Sequence, residues 1–292
     1  MLVSVILINH NRQNDTRRAI ESLKRFSPDA EIILVDNHSD DNSVEVFRRE
    51  LPGVTLLPLD ENYGFGVANN RGAEIAHGEY LLILNNDTEL LEDTPLKLVT
   101  IMKQNEHIGA LGPMIVNPDG SFQWSFGSQP TFLNEWRTRQ ATRKLLRRGR
   151  TYQDSFAEQF AGGCDVDWLT GAALMIPKKL FDQIGGFNES YFIYFEDADI
   201  CKRIRNLGYS VRYEPVGKLI HYGGIDTPIR RPARLHFEYR KSEVLYYKLH
   251  NSVTDNLMLR AYLCVKYMLL SVIADASMKQ TARKILSVVF RP

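Results

Sequence analysis

The sequence of 292 residues predicts an α/β fold in which helices flank a mostly parallel central sheet. Two observations carry this prediction. Over the first hundred residues, short apolar runs typical of strands alternate with amphipathic segments typical of helices. Each of the first four apolar runs is also followed by a group of polar residues. In an open parallel sheet, ligands bind at the carboxyl ends of the strands, so these polar groups indicate a binding crevice.

The alternation repeats four times within the first 105 residues. The predicted strands are 3–9, 31–35, 54–58 and 80–84. The predicted helices are 14–26, 41–51, 65–77 and 93–105. The polar groups that follow the strands are Asn9-His10-Asn11, Asp36-Asn37, Asp60-Glu61-Asn62 and Asn85-Asn86-Asp87. We expect all four groups to line one crevice, which is the candidate active site.

The second half of the chain is less regular. A strand within 108–116 leads to a turn at 117–120 and then to a basic excursion at 125–160, which lacks clear periodicity. A strand over 168–176 and a helix beginning near Glu196 follow. In that helix Ile200, Ile204 and Leu207 share one face, which predicts that they are buried, and Gly208 stands where a C-terminal cap is expected.

The tail from residue 234 onward is typical of helices, and 257–274 is strongly apolar apart from Arg260 and Lys266. Two central cations would be costly in the hydrocarbon of a membrane, so we do not expect this segment to span one. A helix packed on the domain and a helix attached to a membrane surface both tolerate the two cations, and the sequence leaves both interpretations open. The excursion likewise fits a solvated face or a contact surface for anionic groups.

Composition excludes several classes of protein. Lysine and arginine total 36 against 35 aspartate and glutamate, so the net charge gives no reason to expect nucleic acid as a partner. The three cysteines form no CxxC pair, which argues against a zinc or disulfide framework and favours the cytoplasm. The apolar start at 2–8 has no basic region before it, and we expect a buried strand there rather than a signal peptide.

Two acids at strand ends are candidate ligand-binding residues. Asp87 follows a predicted central strand and can offer hard oxygen ligands to a divalent cation, although a strand-end turn would use the same residue type. Asp36 can accept hydrogen bonds from a base or ribose, or can cap the next helix. Gly64-Phe65-Gly66 lacks the last glycine of GxGxxG, where Asn69 stands, and no GxxxxGK[ST] occurs, so dinucleotide and P-loop sites are disfavoured.

Further candidates lie in the second half. Glu196 and Asp197 follow an aromatic run whose packing can raise a carboxyl pKa into the range useful for proton transfer. Acids also favour the first turn of any helix, because they interact with its dipole. His221 ends a strand-like run and is either a metal ligand or a buried core histidine.

Together these segments resemble the family 2 glycosyltransferases of GT-A fold, a Rossmann-like architecture, and in particular the bacterial rhamnosyltransferase-like branch. The resemblance covers roughly residues 1 to 225. It rests on the opening strand, Val35-Asp36-Asn37, Glu61 to Gly66, Asn69 to Gly72, Leu84 to Asp87, Trp168 to Ala172, Ile184 to Glu189, Phe195 to Cys201 and His221. So many ordered segments make a chance resemblance improbable.

The resemblance implies a role for each candidate. It implies that Asp36 binds the nucleobase, that Asp87 ends a DxD-type metal motif supported by His221, and that Asp197 of the Glu196-Asp197 pair deprotonates the acceptor, with inversion at the sugar carbon. The further donor-binding candidates are Asn9, Asn37, Asn69, Asn85 and Asn86, and the acceptor candidates are Trp168 and Asp199. Asn85 departs from the family pattern, in which many members carry Asp, yet Mg²⁺ or Mn²⁺ is still expected.

The resemblance also implies a domain division and a function. Residues 1–230 would form the catalytic domain, with a nucleotide-sugar half at 1–110 and an acceptor half at 111–230, and 231–292 a helical extension. The expected reaction transfers a sugar, with dTDP-L-rhamnose as the candidate donor, to a lipid-linked acceptor for O-antigen or capsule-type polysaccharide at the inner face of the cell membrane. The alternative is a non-catalytic sugar-nucleotide-binding or scaffold protein. A nucleotidyltransferase is disfavoured, because Asn9-His10-Asn11-Arg12 replaces the glycine-rich loop that such enzymes need.

Overall fold

The computed structural model describes residues 1–223 and 232–290. The strands are β1 Val3–Asn9, β2 Glu31–Asp36, β3 Thr55–Pro58, β4 Tyr80–Asn85, β5 Thr88–Leu90, β6 Ile108–Gly112, β7 Ile115–Val116, β8 Phe126–Gly127, β9 Cys164–Asp165, β10 Trp168–Leu169, β11 Ala173–Pro177, β12 Ser210–Tyr213 and β13 Leu219–His221. The helices are α1 Gln13–Phe26, α2 Ser43–Glu50, α3 Phe65–Glu74, α4 Thr94–Gln104, α5 Phe132–Arg148, α6 Arg150–Glu158, α7 Lys178–Gln183, α8 Glu196–Asn206, α9 Ala233–His250, α10 Val253–Ile273 and α11 Ala276–Val289. The four predicted strand–helix repeats are all present.

An eight-stranded sheet forms the centre of the molecule, in the order β3-β2-β1-β4-β11-β6-β12-β9. The first four strands of this order are parallel to one another, and β6 is parallel to β12. Strand β11 runs antiparallel between β4 and β6, and β9 is antiparallel at the edge. The prediction of a mostly parallel sheet flanked by helices, with C-terminal helices beyond it, is confirmed.

The apolar runs form strands because both faces of the sheet are covered. Successive residues of β1 point to opposite faces, so Val5 and Leu7 enter one apolar cluster and Ile6 enters the other. All three are fully buried. Parallel sheets with helices on both faces require this near-continuous apolar character. The carboxyl ends of β1, β2 and β4 therefore emerge together from a rigid core.

A smaller sheet, β5-β13-β7, lies beyond the end of β4. Strand β13 pairs antiparallel with β5, and this register sets His221 opposite Thr88. Because Thr88 directly follows Asp87, the pairing brings His221 beside Asp87 although the two residues are far apart in sequence. The backbone N–H of Tyr222 donates to the Asp87 carbonyl oxygen at 2.8 Å and fixes this contact.

Three details of the predicted second half were wrong. The excursion at 125–160 contains β8 and the two helices α5 and α6. The many cations of α5 hide its apolar periodicity, and α6 is only nine residues long. The strand predicted over 168–176 is two strands, β10 and β11, separated by a turn. Leu207 lies past the end of α8 and is 48% exposed, while Ile200 and Ile204 are fully buried as predicted. Gly208 adopts a positive φ of 90°, as expected for the residue that ends a helix.

Helices α9, α10 and α11 pack against one another around a third apolar cluster, in which Tyr246, Tyr247 and Tyr267 are buried. Phe195 and Ala198 of the α8 region belong to the same cluster, so the C-terminal helices pack directly on the helix that carries Glu196 and Asp197. Within the described residues, α10 is the one helix whose length and composition would allow it to cross a membrane.

Candidate active site

A buried hydrogen-bonded network joins the ends of β1, β2 and β4. Asn86 Nδ2 donates to Thr16 Oγ1 at 2.9 Å, and the Thr16 hydroxyl donates to Asn9 Oδ1 at 2.8 Å. Asn9 Nδ2 then donates to Asp36 Oδ1 at 2.7 Å. Ser39 holds the same carboxylate from the other side, through its backbone N–H at 2.9 Å and its hydroxyl at 2.7 Å. The structure thus brings together three of the predicted donor-binding residues, Asn9, Asp36 and Asn86.

The remaining asparagines predicted in this region have structural partners. Asn37 is 3% exposed, donates to Asn62 Oδ1 and the Gly64 carbonyl, and accepts from the backbone N–H of Tyr63. Asn37 therefore braces the loop at 60–64. Asn69 is fully buried and donates to the Phe65 carbonyl at 3.0 Å, while its Oδ1 lacks a hydrogen-bond partner among the described residues.

The loop that Asn37 braces ends at Gly64, which needs to be glycine. Gly64 precedes α3 with a positive φ of 85°. A Cβ at this position would lie 2.1 Å from the carbonyl oxygen of Phe192, which accepts the Phe65 backbone N–H at 2.8 Å. The start of α3 is thereby held against the aromatic segment before α8.

Asp87 and His221 form the candidate metal site. His221 Nε2 lies 3.2 Å from Asp87 Oδ1, and both side chains are partly buried, with 14% and 30% exposed respectively. Asn85 Nδ2 lies 3.3 Å from the same His221 nitrogen. Burial alone would raise the pKa of Asp87, but the hydrogen bond and charge of His221, together with the charge of Arg12, hold that pKa below its ordinary value.

Gln123 determines which nitrogen of His221 carries the proton. The Gln123 side-chain nitrogen donates to three oxygens: Asn117 Oδ1 at 2.8 Å and the carbonyls of His221 and Gly223 at 3.2 and 3.3 Å. Its Oε1 is consequently the acceptor for His221 Nδ1, at 2.6 Å. The effect of His221 on the Asp87 pKa requires a protonated ring, with N–H at Nε2. The neutral ring that a cation would need carries its proton on Nδ1 and presents the Nε2 lone pair to the space beside Asp87.

Beside Gly223, a small space faces both candidate ligands. A Cβ on Gly223 would lie 2.6 Å from Asp87 Oδ2 and 2.9 Å from His221 Nε2. One carboxylate oxygen and one imidazole lone pair directed at the same space suit a divalent cation such as Mn²⁺ or Mg²⁺. The described residues offer no group of three His, Cys, Asp or Glu side chains for a metal, so the other ligands would come from the substrate and water.

Glu196 and Asp197 begin α8 directly after two residues in the left-handed region of backbone space. Tyr194 and Phe195 have φ of 71° and 65°, a conformation that costs non-glycine residues about 1 kcal/mol or more each. Packing of Phe195 against Tyr239 and Tyr246 stabilises this turn. The two carboxyl groups are therefore held in place by the core of the C-terminal helices.

These two acids differ in their environment. Glu196 is 5% exposed, and burial, followed by the neighbouring charge of Asp197, raises its pKa well above the ordinary value. Burial also raises the pKa of Asp197, but Asp197 remains partly exposed, and its oxygens accept the backbone N–H groups of Gly171 at 3.1 Å and Ala198 at 2.8 Å. Asp197 is consequently the better candidate for a proton acceptor, with Glu196 the protonated partner.

A short backbone link connects Asp197 to the candidate metal site. Gly171 donates to Asp197, and the carbonyl of its neighbour Ala172 accepts the backbone N–H of Asn85 at 3.0 Å. Asp197 and the Asn85-to-Asp87 strand end therefore flank the same turn between β10 and β11. This arrangement brings the candidate proton acceptor and the candidate metal ligands to the same turn.

The predicted acceptor residues lie in different environments. Trp168 is partly buried on β10 and lies against Gly127, where a Cβ would be 2.8 Å from its indole nitrogen. Asp199 is fully buried, with its oxygens 2.7 Å from Arg203 Nε and 2.6 Å from His250 Nε2. The burial of Asp199 favours a role in positioning α8 over direct contact with an acceptor.

Four residues of the site were absent from the sequence prediction: Arg12, Thr16, Gln123 and Gly223. Arg12 belongs to the polar group after β1, and its position in that group was a usable signal. The partnership of Gln123 with His221 spans 98 residues and has no signal in the spacing. The requirement for glycine at position 223 depends on the pairing of β13 with β5, which the sequence alone does not reveal.

The Rossmann-like sheet, with candidate cation ligands and a candidate proton acceptor near its carboxyl edge, is the arrangement expected of a glycosyltransferase of GT-A fold. The model of "Glycosyl transferase family 2" matches residues 4–171. The chain belongs to this family. The model "N-terminal domain of galactosyltransferase" matches residues 154–223, which include Glu196, Asp197 and His221.

The relatives of the chain include bacterial rhamnosyltransferases. The chain is 27% identical over 240 residues to an N-acetylglucosaminyl-diphospho-decaprenol L-rhamnosyltransferase of Mycobacterium tuberculosis, covering 74% of this chain and 73% of the relative. It is 23% identical over 230 residues to the dTDP-rhamnosyl transferase RfbF of Shigella flexneri, covering 75% and 71%.

A solved structure supports the fold. The crystal structure of GalNAc-T7 with UDP, GalNAc and Mn²⁺ matches with a TM-score of 0.64 at 16% identity, over 98% of this chain and 55% of that one. The present chain thus spans about half the length of that structure. The three comparisons together establish a glycosyltransferase with the GT-A fold.

Proposed function

We propose that the protein transfers L-rhamnose from dTDP-L-rhamnose to a hydroxyl of a lipid-linked saccharide, with inversion at the sugar carbon. The observation that carries this proposal is the arrangement of two different groups at one crevice. One is the pair Asp87 and His221 Nε2, directed at a common space. The other is Asp197, joined to the same strand end through Gly171 and Ala172.

The donor binds along the network at the ends of β1, β2 and β4. Asp36 is the acceptor of hydrogen bonds from the nucleobase, and its fixed orientation follows from Asn9 and Ser39. Arg12, whose charge contributes to the lowered pKa of Asp87, is the cation that we assign to the diphosphate. Asn85 and Asn86 complete this side of the site, and Asn37 and Asn69 shape the loop and helix beside it.

Asp87 and His221 would hold a divalent cation, for which Mn²⁺ and Mg²⁺ are the candidates. Such a cation neutralises the charge that develops on the departing nucleoside diphosphate. Asp197 accepts the proton of the acceptor hydroxyl. At the same time the hydroxyl oxygen forms a bond to the sugar carbon, and the bond from that carbon to the diphosphate breaks. Because attack and departure occur on opposite sides, the sugar carbon is inverted and no covalent enzyme intermediate is needed.

Two rhamnosyltransferase relatives support the choice of sugar, and the name of the mycobacterial relative supports a lipid-linked acceptor. The reaction would belong to cell-surface polysaccharide synthesis in the cytoplasm at the inner face of the membrane. The non-catalytic alternative has no specific observation in its favour, and the residues that we propose as cation ligands and proton acceptor all lie near one strand end.

A panel of nucleotide sugars tests the proposal. The full chain is incubated with Mn²⁺ and dTDP-rhamnose, UDP-N-acetylglucosamine or GDP-mannose, with and without a polyprenyl-diphosphate-N-acetylglucosamine acceptor, and released nucleotide and glycosylated lipid are measured. The proposal expects lipid-dependent release from dTDP-rhamnose alone. Preference for another donor would contradict L-rhamnose as the transferred sugar. Binding of a donor without any turnover would favour the non-catalytic alternative.

A further inference from the structure

The outward face of α10 is a continuous apolar stripe. Six of its large side chains are between 49% and 71% exposed, namely Leu257, Val265, Met268, Leu269, Val272 and Ile273. Their spacing keeps them on one side of the helix over about 24 Å, given the rise of an α-helix. The opposite side, with Leu259, Leu263 and Tyr267, is buried against the protein. An apolar stripe of this length is a marker of an interaction surface.

Both cations of α10 are held by neighbouring groups of the protein. Arg260 donates through Nη1 to the Val289 carbonyl at 2.5 Å and through Nε to Asn256 Oδ1 at 2.8 Å. Lys266 Nζ lies 5.7 and 5.4 Å from the ring centres of Tyr262 and Tyr267. Arg260 is therefore turned towards the protein, and Lys266 lies at the edge of the stripe with its Nζ held over two aromatic rings.

Helix α5 continues this surface and adds positive charge. Its first residue, Phe132, packs edge-on against Tyr262 of α10, with ring centres 6.0 Å apart. Beyond it, Leu133 and Trp136 are 52% and 57% exposed. Further along the same helix, the exposed cations are Arg137, Arg143, Lys144, Arg147 and Arg148. An exposed tryptophan between an apolar region and a row of cations is typical of helices at the membrane interface.

We propose that the outward faces of α10 and α5 form a membrane-docking surface, which lies in the plane of a bilayer containing anionic lipid. The apolar stripe and Trp136 would enter the boundary between headgroups and acyl chains, while the α5 cations would contact the headgroup phosphates. The proposal is independent of the sugar that the enzyme transfers.

The positive charge of α5 favours a bilayer over a second copy of the chain as the partner of this surface. A twofold dimer pairs a surface with itself, so a dimer through this surface would place both rows of α5 cations within the interface. Anionic headgroups instead complement these cations. The packing of α10 decides the orientation, because a helix with one side buried in its own protein is not free to be surrounded by lipid.

Vesicle binding by the purified full chain tests the proposal. The probes are phosphatidylcholine vesicles with and without phosphatidylglycerol, and binding is measured by sedimentation and by tryptophan fluorescence. Of the three tryptophans, Trp136 is the exposed one, so its emission reports the docking surface. We expect binding to the anionic vesicles, a blue shift of the emission that the Trp136→Phe variant lacks, and release by high salt or alkaline carbonate.

Two variants locate the surface. Val265→Asp combined with Leu269→Asp places charges on the stripe and should abolish vesicle binding, while Arg143→Gln combined with Arg147→Gln should weaken binding to anionic vesicles by about fivefold for each cation removed. Leu96→Asp is the matched control, because Leu96 is 51% exposed on α4. All three should hydrolyse the donor like the unmodified chain, since none of these residues belongs to the active site.

The proposal is overturned by any of three results. The first is vesicle binding that is equally strong without anionic lipid, or that the Val265→Asp and Leu269→Asp substitutions leave unchanged. The second is resistance to carbonate extraction, which would mean that α10 spans the bilayer. The third is a dimer that the Val265→Asp and Leu269→Asp substitutions dissociate, which would assign the surface to a second copy of the chain.

Discussion

At the scale of single residues, the chemistry depends on side chains that the fold orients rather than on their identity alone. His221 can serve a cation because Gln123 accepts the proton of Nδ1, and Gln123 can accept it because its own N–H groups are occupied by three oxygens. Likewise Asp36 is fixed by Asn9 and Ser39 before any ligand arrives. Preorganisation of this kind reduces the free-energy cost of orienting the groups during catalysis.

Replacing Gln123 by leucine tests this orientation. The variant removes the acceptor for His221 Nδ1, so the imidazole is free to rotate or to place its proton on Nε2. We expect Mn²⁺ affinity in the presence of nucleoside diphosphate to fall by about 10- to 100-fold, measured by isothermal titration. Gln123→Glu keeps an acceptor oxygen and should retain most of the affinity. Unchanged Mn²⁺ binding by Gln123→Leu would show that Gln123 has no part in the site.

Gly223→Ala tests the space between Asp87 and His221. The added methyl group would lie 2.6 Å from Asp87 Oδ2 and 2.9 Å from His221 Nε2, which is closer than atoms in contact can approach. Mn²⁺-dependent turnover should fall by at least about tenfold, while the thermal unfolding midpoint changes little because Gly223 is at the surface of the crevice. Gly162→Ala, where a Cβ would meet no atom within 4 Å, is the control. Full activity of Gly223→Ala would place the cation elsewhere.

The sequence singles out Asp36, Asp87, Asp197 and His221 because each lies at the end of a strand or in the first turn of a helix. The structure brings Asp87 and His221 together, as expected for a shared site, while the roles of the four residues are still predictions. Gln123 and Gly223 could not be predicted, since their importance depends on which strands pair in the small sheet. Asp199 shows the opposite case, in which an acid beside the candidate pair Glu196 and Asp197 is held by Arg203 and His250 in the interior.

At the scale of secondary-structure elements, α8 combines a strained start with a buried, charged first turn. Its dipole stabilises the ionised form of the first-turn acids, yet burial has the larger effect on both carboxyl groups and raises their pKa values. The cost of this burial is offset by packing of Phe195 and Ala198 against the C-terminal helices. The start of α8, which holds the candidate proton acceptor Asp197, is therefore locally destabilising for the fold.

The raised pKa of Glu196 predicts a pH-dependent stability. Between the ordinary value of 4.5 and the raised value, folded Glu196 retains a proton that the unfolded chain has lost. The free energy of unfolding of the unmodified chain should therefore fall as pH rises through this window. Glu196→Gln, which resembles the protonated acid, should become increasingly more stable than the unmodified chain over the same window. Urea unfolding at a series of pH values measures the difference.

Glu21→Gln is the control for this prediction, because Glu21 is exposed on α1. Its unfolding free energy should track that of the unmodified chain at every pH. A difference between Glu196→Gln and the unmodified chain that is constant with pH would mean that Glu196 titrates normally.

The predictions of whole elements succeeded where apolar periodicity was clear and were wrong where charge hides it. The four strand–helix repeats were found because each strand is buried on both faces. Helix α5 was missed because six cations obscure its apolar periodicity, and among its described side chains Leu145 is the buried one. Helix α6 was missed because it is only nine residues long. The strand over 168–176 was too long, because β10 and β11 belong to different sheets.

At the scale of the whole molecule, the catalytic crevice and the C-terminal helices depend on one another. His250 at the end of α9 lies 2.6 Å from Asp199 of α8, and both side chains are buried. Arg203 occupies the other oxygen of Asp199 and donates to the carbonyls of Ile184 and Gly186. The division of the chain at residues 230 and 231 is still a prediction, and these contacts indicate that the two parts unfold together.

His250→Ala tests this coupling. Removing one partner of a buried pair leaves Asp199 with an uncompensated oxygen, so the free energy of unfolding should fall by about 3 kcal/mol. Turnover should fall as well, because Asp199 and Asp197 share the first turn of α8. The neighbouring Leu249 is 49% exposed, and Leu249→Ala should change stability little. Two separate unfolding transitions in the unmodified chain, or no effect of His250→Ala, would contradict the coupling.

The central claim is that Asp87 and Asp197 serve different parts of one transfer reaction, and a comparison of donor binding with turnover tests it most directly. Titration calorimetry of the donor with Mn²⁺, followed by a transfer assay, would be performed on the unmodified chain, Asp87→Ala and Asp197→Asn. We predict that Asp87→Ala loses Mn²⁺-dependent donor binding, whereas Asp197→Asn binds the donor normally but transfers no sugar. Equal loss of binding in both variants, or continued transfer by Asp197→Asn, would contradict the account.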